Sequence, residues 1–177
     1  MSVHAFVDES GRDSSYIVCV SIVDPAQLGP ARRQLSSLLL PGQRELHFKK
    51  EKPRRRRLLA DRIAALPTTS WIYATSCTPK TAEQDRQRCL AEAVRDLLAI
   101  GARRVVIDSR QEQDRHDEAT IYEGLGGRPS ETGVVYEHHE STSTPLLWIP
   151  DAVAWCYGAG GDWRRRIESA VAKVAKV

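Results

Sequence analysis

The chain contains no Cys-x-x-Cys pair; Cys19, Cys77, Cys89 and Cys156 stand far apart. That excludes a zinc ribbon and a dithiol redox motif. The four cysteines read instead as small core hydrophobes kept reduced. No uninterrupted apolar run approaches the ~18 residues a spanning helix needs, so no membrane partner is expected. No serine sits in a Gly-x-Ser-x-Gly elbow, which removes a hydrolase triad. Gly158-Ala159-Gly160-Gly161 is rich in glycine but follows a helical pattern rather than a strand. It is therefore neither a phosphate loop nor a dinucleotide fingerprint. The opening Met-Ser-Val-His-Ala-Phe-Val-Asp lacks the basic-then-apolar layout of a signal peptide, so a cytoplasmic location is expected. There is no internal repeat and no linker.

What is present is ordinary in bulk. The 177 residues are 41% apolar and 28% charged, the profile of an average soluble protein and not of a disordered chain. One domain spanning 1–177 is the simplest account, large enough to fold without disulfides. The net charge of +3 says little, but its distribution is uneven. Between Arg44 and Arg57 there are eight Lys or Arg against two Glu. Arg54, Arg55, Arg56 and Arg57 are consecutive, and Arg164, Arg165 and Arg166 form a second group. Such clusters suit a phosphate backbone, although a solvated helix face is the plainer explanation of either run alone.

Apolar periodicity predicts an alternation of strands and helices. Ser2–Val7 reads as a strand entering a turn at Asp8-Glu9-Ser10-Gly11, and Tyr16–Val23 as its hairpin partner. Ala31, Leu35, Leu38 and Leu39 mark a helix. Arg44–Glu51 is a charged connector with Leu46 and Phe48 buried in it, and Pro53 opens the next helix. Trp71–Ser76 is a third strand, Thr81–Ile100 a long amphipathic helix, and Arg103–Ile107 a fourth strand ending at Asp108. Gln111–Tyr122 reads as a polar surface helix and Gly133–Glu137 as a fifth strand. Pro150 opens a short apolar helix over Asp151–Tyr157. Asp162 is placed to cap a last helix through Lys173.

Three acids share one setting. Asp8 and Asp108 end strands, and Asp151 stands in the first turn of a late helix. If strands one and four are parallel neighbours, Asp8 and Asp108 emerge side by side at the carboxyl edge, where open α/β sheets bind ligands. Carboxylates converging there repel one another unless a cation lies between them. Mg²⁺ or Mn²⁺ favours such all-oxygen ligands, and a pair of these ions supports phosphodiester cleavage. Each acid also has a structural explanation: a turn at Asp8, a cap at Asp108, a helix-dipole partner at Asp151.

Four stretches, in order along the chain, resemble the bacterial domain-of-unknown-function family numbered 3800, within the ribonuclease H-like nucleases. They are Phe6-Val7-Asp8-Glu9-Ser10-Gly11, Glu45-Leu46-His47-Phe48, Val105-Val106-Ile107-Asp108 and Pro145–Trp155. The resemblance implies a single ribonuclease H-like α/β domain. Its five-stranded mixed sheet would have the order 3-2-1-4-5 and be flanked by helices. It further implies a two-metal nuclease with Asp8, Glu45, Asp108 and Asp151 as Mg²⁺ or Mn²⁺ ligands. His47, two residues beyond Glu45, would relay a proton or touch a phosphate. The partner would be nucleic acid, RNA or DNA, gripped by Lys49, Lys50, Arg54, Arg55, Arg56 and Arg57; a homodimer stays open. Two departures stand out. The family's late Leu-Gln-x-Ala-Asp is here Leu147-Trp148-Ile149-Pro150-Asp151, and His47 replaces a common Lys. They keep open a catalytically inactive module that binds nucleic acid or protein. Glu83 and Glu92, on the helix before strand four, compete with Glu45 for the fourth carboxylate.

His138-His139, flanked by Glu137 and Glu140, suggests zinc. Neighbours in a strand point to opposite faces, however, so the two cannot serve one ion together, and one of them would face the candidate site. Trp148, Trp155 and Trp163 read as core or interface.

Overall fold

The computed structural model describes residues 3–12, 14–110 and 114–177. Its centre is one mixed sheet of six strands in the order β5-β4-β1-β2-β3-β6. The strands are β1 (Val3–Arg12), β2 (Ser15–Val23), β3 (Thr69–Ser76), β4 (Ala102–Asp108), β5 (Val135–His139) and β6 (Val171–Lys176). β1 pairs antiparallel with β2 and parallel with β4, while β4–β5 and β3–β6 are also parallel. The expected order 3-2-1-4-5 is contained in this sheet, but the sheet has six strands rather than five.

The helices are α1 (Leu28–Ser36), α2 (Pro53–Ala64), α3 (Ala82–Ala99), α4 (Asp114–Gly124), α5 (Pro129–Thr132), α6 (Trp148–Ala159) and α7 (Gly161–Arg166). They divide between the two faces of the sheet, because side chains alternate along each strand. Phe6, Cys19, Ile72 and Val106 point to a core closed by α1, α2 and α6. Val7, Val18, Tyr73 and Ile107 point the other way, to α3 and α4. Among the described residues no helix is long and apolar enough to cross a membrane.

The sixth strand overturns the expected last helix. α7 stops at Arg166, and Val171–Lys176 pairs with β3. Ala and Lys favour a helix locally, but an unpaired β3 edge offers a whole ladder of backbone hydrogen bonds. Lys173 anchors the strand through an ion pair with Asp96 and a place over the rings of Trp71 and Tyr73. Asp162 lies inside α7 and pairs with Arg166 instead of capping.

Three other boundaries shift. Asp8-Glu9-Ser10-Gly11 is not a turn: β1 runs on to Arg12, held by β2 after its pairing with β4 has ended. β5 begins two residues later than expected, since Gly133 takes a left-handed φ of 67° and closes α5, and it therefore includes His138 and His139. α6 begins at Trp148, with Pro150 inside its first turn, where no intrahelical N–H is needed. The expected polar helix is described from Asp114 onward; Gln111, Glu112 and Gln113 lie outside the described residues.

Between β2 and β3, the hydroxyls of Ser21 and Ser70 bond to each other at 2.9 Å, and both residues are fully buried. Removing one hydroxyl strands the other, whereas removing both leaves nothing unsatisfied. Ser21→Ala is therefore expected to lose roughly 1–3 kcal/mol in urea unfolding. The double variant Ser21→Ala/Ser70→Ala should recover most of that loss, a non-additivity that a double-mutant cycle reads directly.

Candidate active site

The cleft opens where β1 and β4 part. Their parallel ladder ends at Val7 opposite Ile107, so the next residues, Asp8 and Asp108, emerge together at the carboxyl edge. Alternation points both toward the α6 face, below Phe6 and Val106. Asp151, in the first turn of α6, comes over this edge. Its Oδ2 accepts the Phe48 backbone N–H at 2.9 Å and lies 3.7 Å from His47 Nδ1. That contact fixes the connector between α1 and α2, which brings Glu45. The four predicted carboxylates and His47 thus line one cleft of about 310 Å³, together with Glu9, Lys50 and Ser141.

The electrostatics follow from this crowding. Burial pushes the Asp8 pKa well up, and the nearby Asp151 and Asp108 push it further, against the pull of Arg110. Asp108 is raised to about 6 by burial, then by Asp151 and Glu45, with His47 and the Ser141 backbone acting against the rise. His47 moves up as well, because its contact with Asp151 outweighs partial burial. Four acids against His47 and Lys50 leave an excess of negative charge in a concave site. All the carboxylate donors are oxygens, which fits a hard dication.

Ser141 is the site residue that sequence reasoning missed. Its hydroxyl donates to Glu45 in a short hydrogen bond, and its carbonyl accepts the Trp148 indole N–H at 2.9 Å. The polar run Glu140–Thr144 marked only a loop. Glu9 was also passed over as a separate group. Its carboxylate turns to the opposite sheet face, onto Arg86 and Arg110. Glu83 and Glu92 belong to α3 on that opposite face and pair with Arg86 and Arg95. Of the three contenders for fourth carboxylate, only Glu45 lines the cleft.

The basic run separates by role. Lys50 lines the cleft, and Lys49 is exposed beside it. Arg54 is exposed on the first turn of α2. Arg55 turns inward: it bonds Glu51 at 2.8 Å, the Leu38 carbonyl at 2.6 Å and Gln43 at 3.1 Å. Arg56 lies 4.6 Å from the Trp155 ring centre and 5.8 Å from that of Trp163; Arg57 lies 5.7 Å from Trp163. Arg12 covers Trp155 from another side at 5.5 Å. Trp155 stands one helical turn beyond Asp151, so this pinned cationic surface begins at the mouth of the cleft. The arginines lie over the indole rings, and two are further anchored to the backbone: Arg56 Nε donates to the Glu51 carbonyl at 2.7 Å and Arg12 to the Trp155 carbonyl at 3.2 Å.

His138 and His139 do point to opposite faces. His139 bonds Thr144 at 3.0 Å and pairs with Glu137, while His138 turns toward Asp114 and Asp117.

The raised carboxyls predict a pH signature for the metal-free protein. A carboxyl with a raised folded pKa adds stability below about 4, its ordinary range, and that stability is lost as pH climbs through about 6 for Asp108. Asp108→Asn is expected to stabilise the metal-free chain by roughly 1–2 kcal/mol at pH 7.5, after solvent screening in an open cleft. At pH 4 the gain should vanish. Denaturant unfolding of both proteins at the two pH values checks this.

No protein-family profile and no characterised protein sequence matches the chain. Among solved structures it is similar to the archaeal ribonuclease HII in the PCNA–RNase HII complex from Archaeoglobus fulgidus. The TM-score is 0.53 at 15% identity, over 88% of this chain and 70% of that one. The likeness shows a ribonuclease H-like fold; the resemblance to the 3800 family rests on the four sequence stretches alone.

Proposed function

We infer that the chain is a single ribonuclease H-like domain that hydrolyses nucleic-acid phosphodiesters with Mg²⁺ or Mn²⁺. The observation that carries this reading is the convergence of Asp8, Glu45, Asp108 and Asp151 in one cleft at the carboxyl edge of two adjacent parallel strands. Asp151 and Glu45 have partners in the fold, but crowding Asp8 and Asp108 beside them costs stability in the metal-free chain. The all-oxygen donor set fits hard dications, which Asp8, Glu45, Asp108 and Asp151 would hold. Bound ions of this kind supply water activation and stabilisation of the leaving oxygen.

The chain's own residues do the remaining work. Ser141 holds Glu45 in place, and the Phe48 amide holds Asp151. His47, in contact with Asp151, would offer a ring N–H to a phosphate oxygen at the cleft wall. Lys50 and the indole-pinned Arg12, Arg56 and Arg57 lead a phosphate backbone to the cleft. Their cation–π contacts fix their orientation before the substrate arrives.

Cleavage of single- and double-stranded DNA, RNA and a hybrid is the test, with Mg²⁺ or Mn²⁺ and with Asp108→Asn as control. Metal-dependent cleavage is expected, falling by at least a hundredfold in the variant. No cleavage of any substrate, or equal cleavage by the variant, overturns the reading. If the chain then still holds nucleic acid without metal, the inactive binding module is the better account.

Binding should also sort the arginines. Arg12→Gln, Arg56→Gln and Arg57→Gln are each expected to flatten the plot of log affinity against log salt by about one. Arg55→Gln should leave that slope unchanged and instead cost on the order of 1–2 kcal/mol of stability, since Glu51 already neutralises its charge and Leu38 and Gln43 take its remaining donors.

A further inference from the structure

Behind the cleft, on the opposite face of the sheet, lies a second group of ligating side chains. Asp114 opens α4, Asp117 follows one turn later on the same side of the helix, and His138 reaches across from β5. In the parallel register His138 pairs with Ile107 and His139 with Asp108, which puts His138 on the α4 face and the cleft on the other. One ligand atom from each of Asp114, Asp117 and His138 falls within 4.8 Å of the others.

Proximity of acids alone would not make a site. The added observation is that the centre of this group is buried and unsatisfied. The Asp117 side chain is 1% exposed. Its Oδ1 is taken by Arg86, but Oδ2 is shut off from solvent and has no hydrogen-bond partner among the described residues. His138 Nε2 is likewise enclosed and makes no hydrogen bond among the described residues, only looser contacts with the two acids. The two atoms face each other at 3.5 Å, and Asp114 Oδ1 stands 4.0 Å from the same nitrogen. Ligand atoms about 2.0–2.1 Å from a tetrahedral Zn²⁺ lie roughly 3.3–3.4 Å apart, close to this spacing.

The charges allow it as well. Arg86 meets Glu9, Glu83 and Asp117, and Arg110 meets Glu9. With Asp114, four carboxylates surround two guanidiniums, leaving two negative charges for one dication. Asp114 keeps free lone pairs although it accepts from Ser109 Oγ at 2.7 Å and from the Arg110 amide at 2.8 Å.

We propose that Asp114, Asp117 and His138 form a transition-metal site, suited to Zn²⁺ by its imidazole-and-carboxylate donors, that ties α4 to β5 behind the cleft. It is separate from the hard-cation site and independent of the nuclease reading. The ion would give both facing atoms a ligand bond, and Arg86, bonded to the other oxygen of Asp117, would hold that carboxylate in position.

The test uses the full-length chain carrying Asp8→Asn and Asp108→Asn, so that the cleft cannot supply the metal. Zn²⁺ is titrated against a chromophoric chelator, and thermal unfolding is followed with and without Zn²⁺. One Zn²⁺ per chain and a raised unfolding midpoint are expected. Adding His138→Gln should weaken binding at least tenfold and abolish the shift in midpoint. Asp114→Asn, at the more exposed end of the group, carries the same expectation should His138→Gln not fold. No bound Zn²⁺ in the cleft variant, or equal binding after His138→Gln, overturns the proposal. No nucleic acid enters the measurement, so failure of the nuclease reading would leave its outcome untouched.

Discussion

Strand β1 is bound on its two sides by strands of opposite sense, and the candidate site depends on the mismatch between those two ladders. The parallel pairing with β4 stops at Val7, while the antiparallel pairing with β2 carries on to Arg12. Asp8 is therefore held rigidly by one neighbour at the point where the other departs. A crevice opens beside a fixed carboxylate. Were Asp8 in a turn, as its Asp-Glu-Ser-Gly context suggests, it would be mobile and a poor ligand. Continuation of β1 supplies the rigidity on which a precise ligand arrangement depends.

The same strand end also separates two chemistries. Alternation sends Asp8 to the α6 face and Glu9 to the α3 face. In front, carboxylates gather with few cations and repel. Behind, Glu9 meets Arg86 and Arg110, and the acids there are largely paired. Arg86 is 2% exposed and faces three carboxylates, so removing it would leave buried charges unpaired. The Arg86 network behind gives the carboxylate cluster in front a stiff backing.

The legible parts of the molecule were those fixed by local pattern. Apolar runs ending in Asp placed β1, β4 and their carboxylates. Pro150 beside Asp151 marked a helix start to within a few residues, although the helix in fact begins at Trp148. Glu45 came only from the family resemblance, because nothing local distinguishes it from Glu83 or Glu92; the bond from Phe48 to Asp151, across 103 residues, is what brings Glu45 to the cleft. Contacts of that range also hid β6, where an open edge on β3 overrode the helical preference of Ala and Lys. Ser141 was invisible for a related reason. Its partners Glu45 and Trp148 belong to the connector and to α6, and the loop matters only because both converge on it.

The arginine run shows why charge clusters are hard to read. Helix position makes the four residues look equivalent, and arginine in a first turn opposes the dipole. The fold makes them unequal. Arg55 closes the α1–α2 connector through Glu51, Gln43 and Leu38, so its charge serves the fold. Arg56 and Arg57 rest on indoles contributed by α6 and α7, Arg56 with its Nε also donating to the Glu51 carbonyl. The Arg55–Glu51 pair offsets part of the dipole penalty within one turn, and the connector it closes is the segment that carries Glu45 and His47. The run therefore supports the cleft in two ways: Arg55 holds the connector that delivers two site residues, and its neighbours extend the positive surface leading to them.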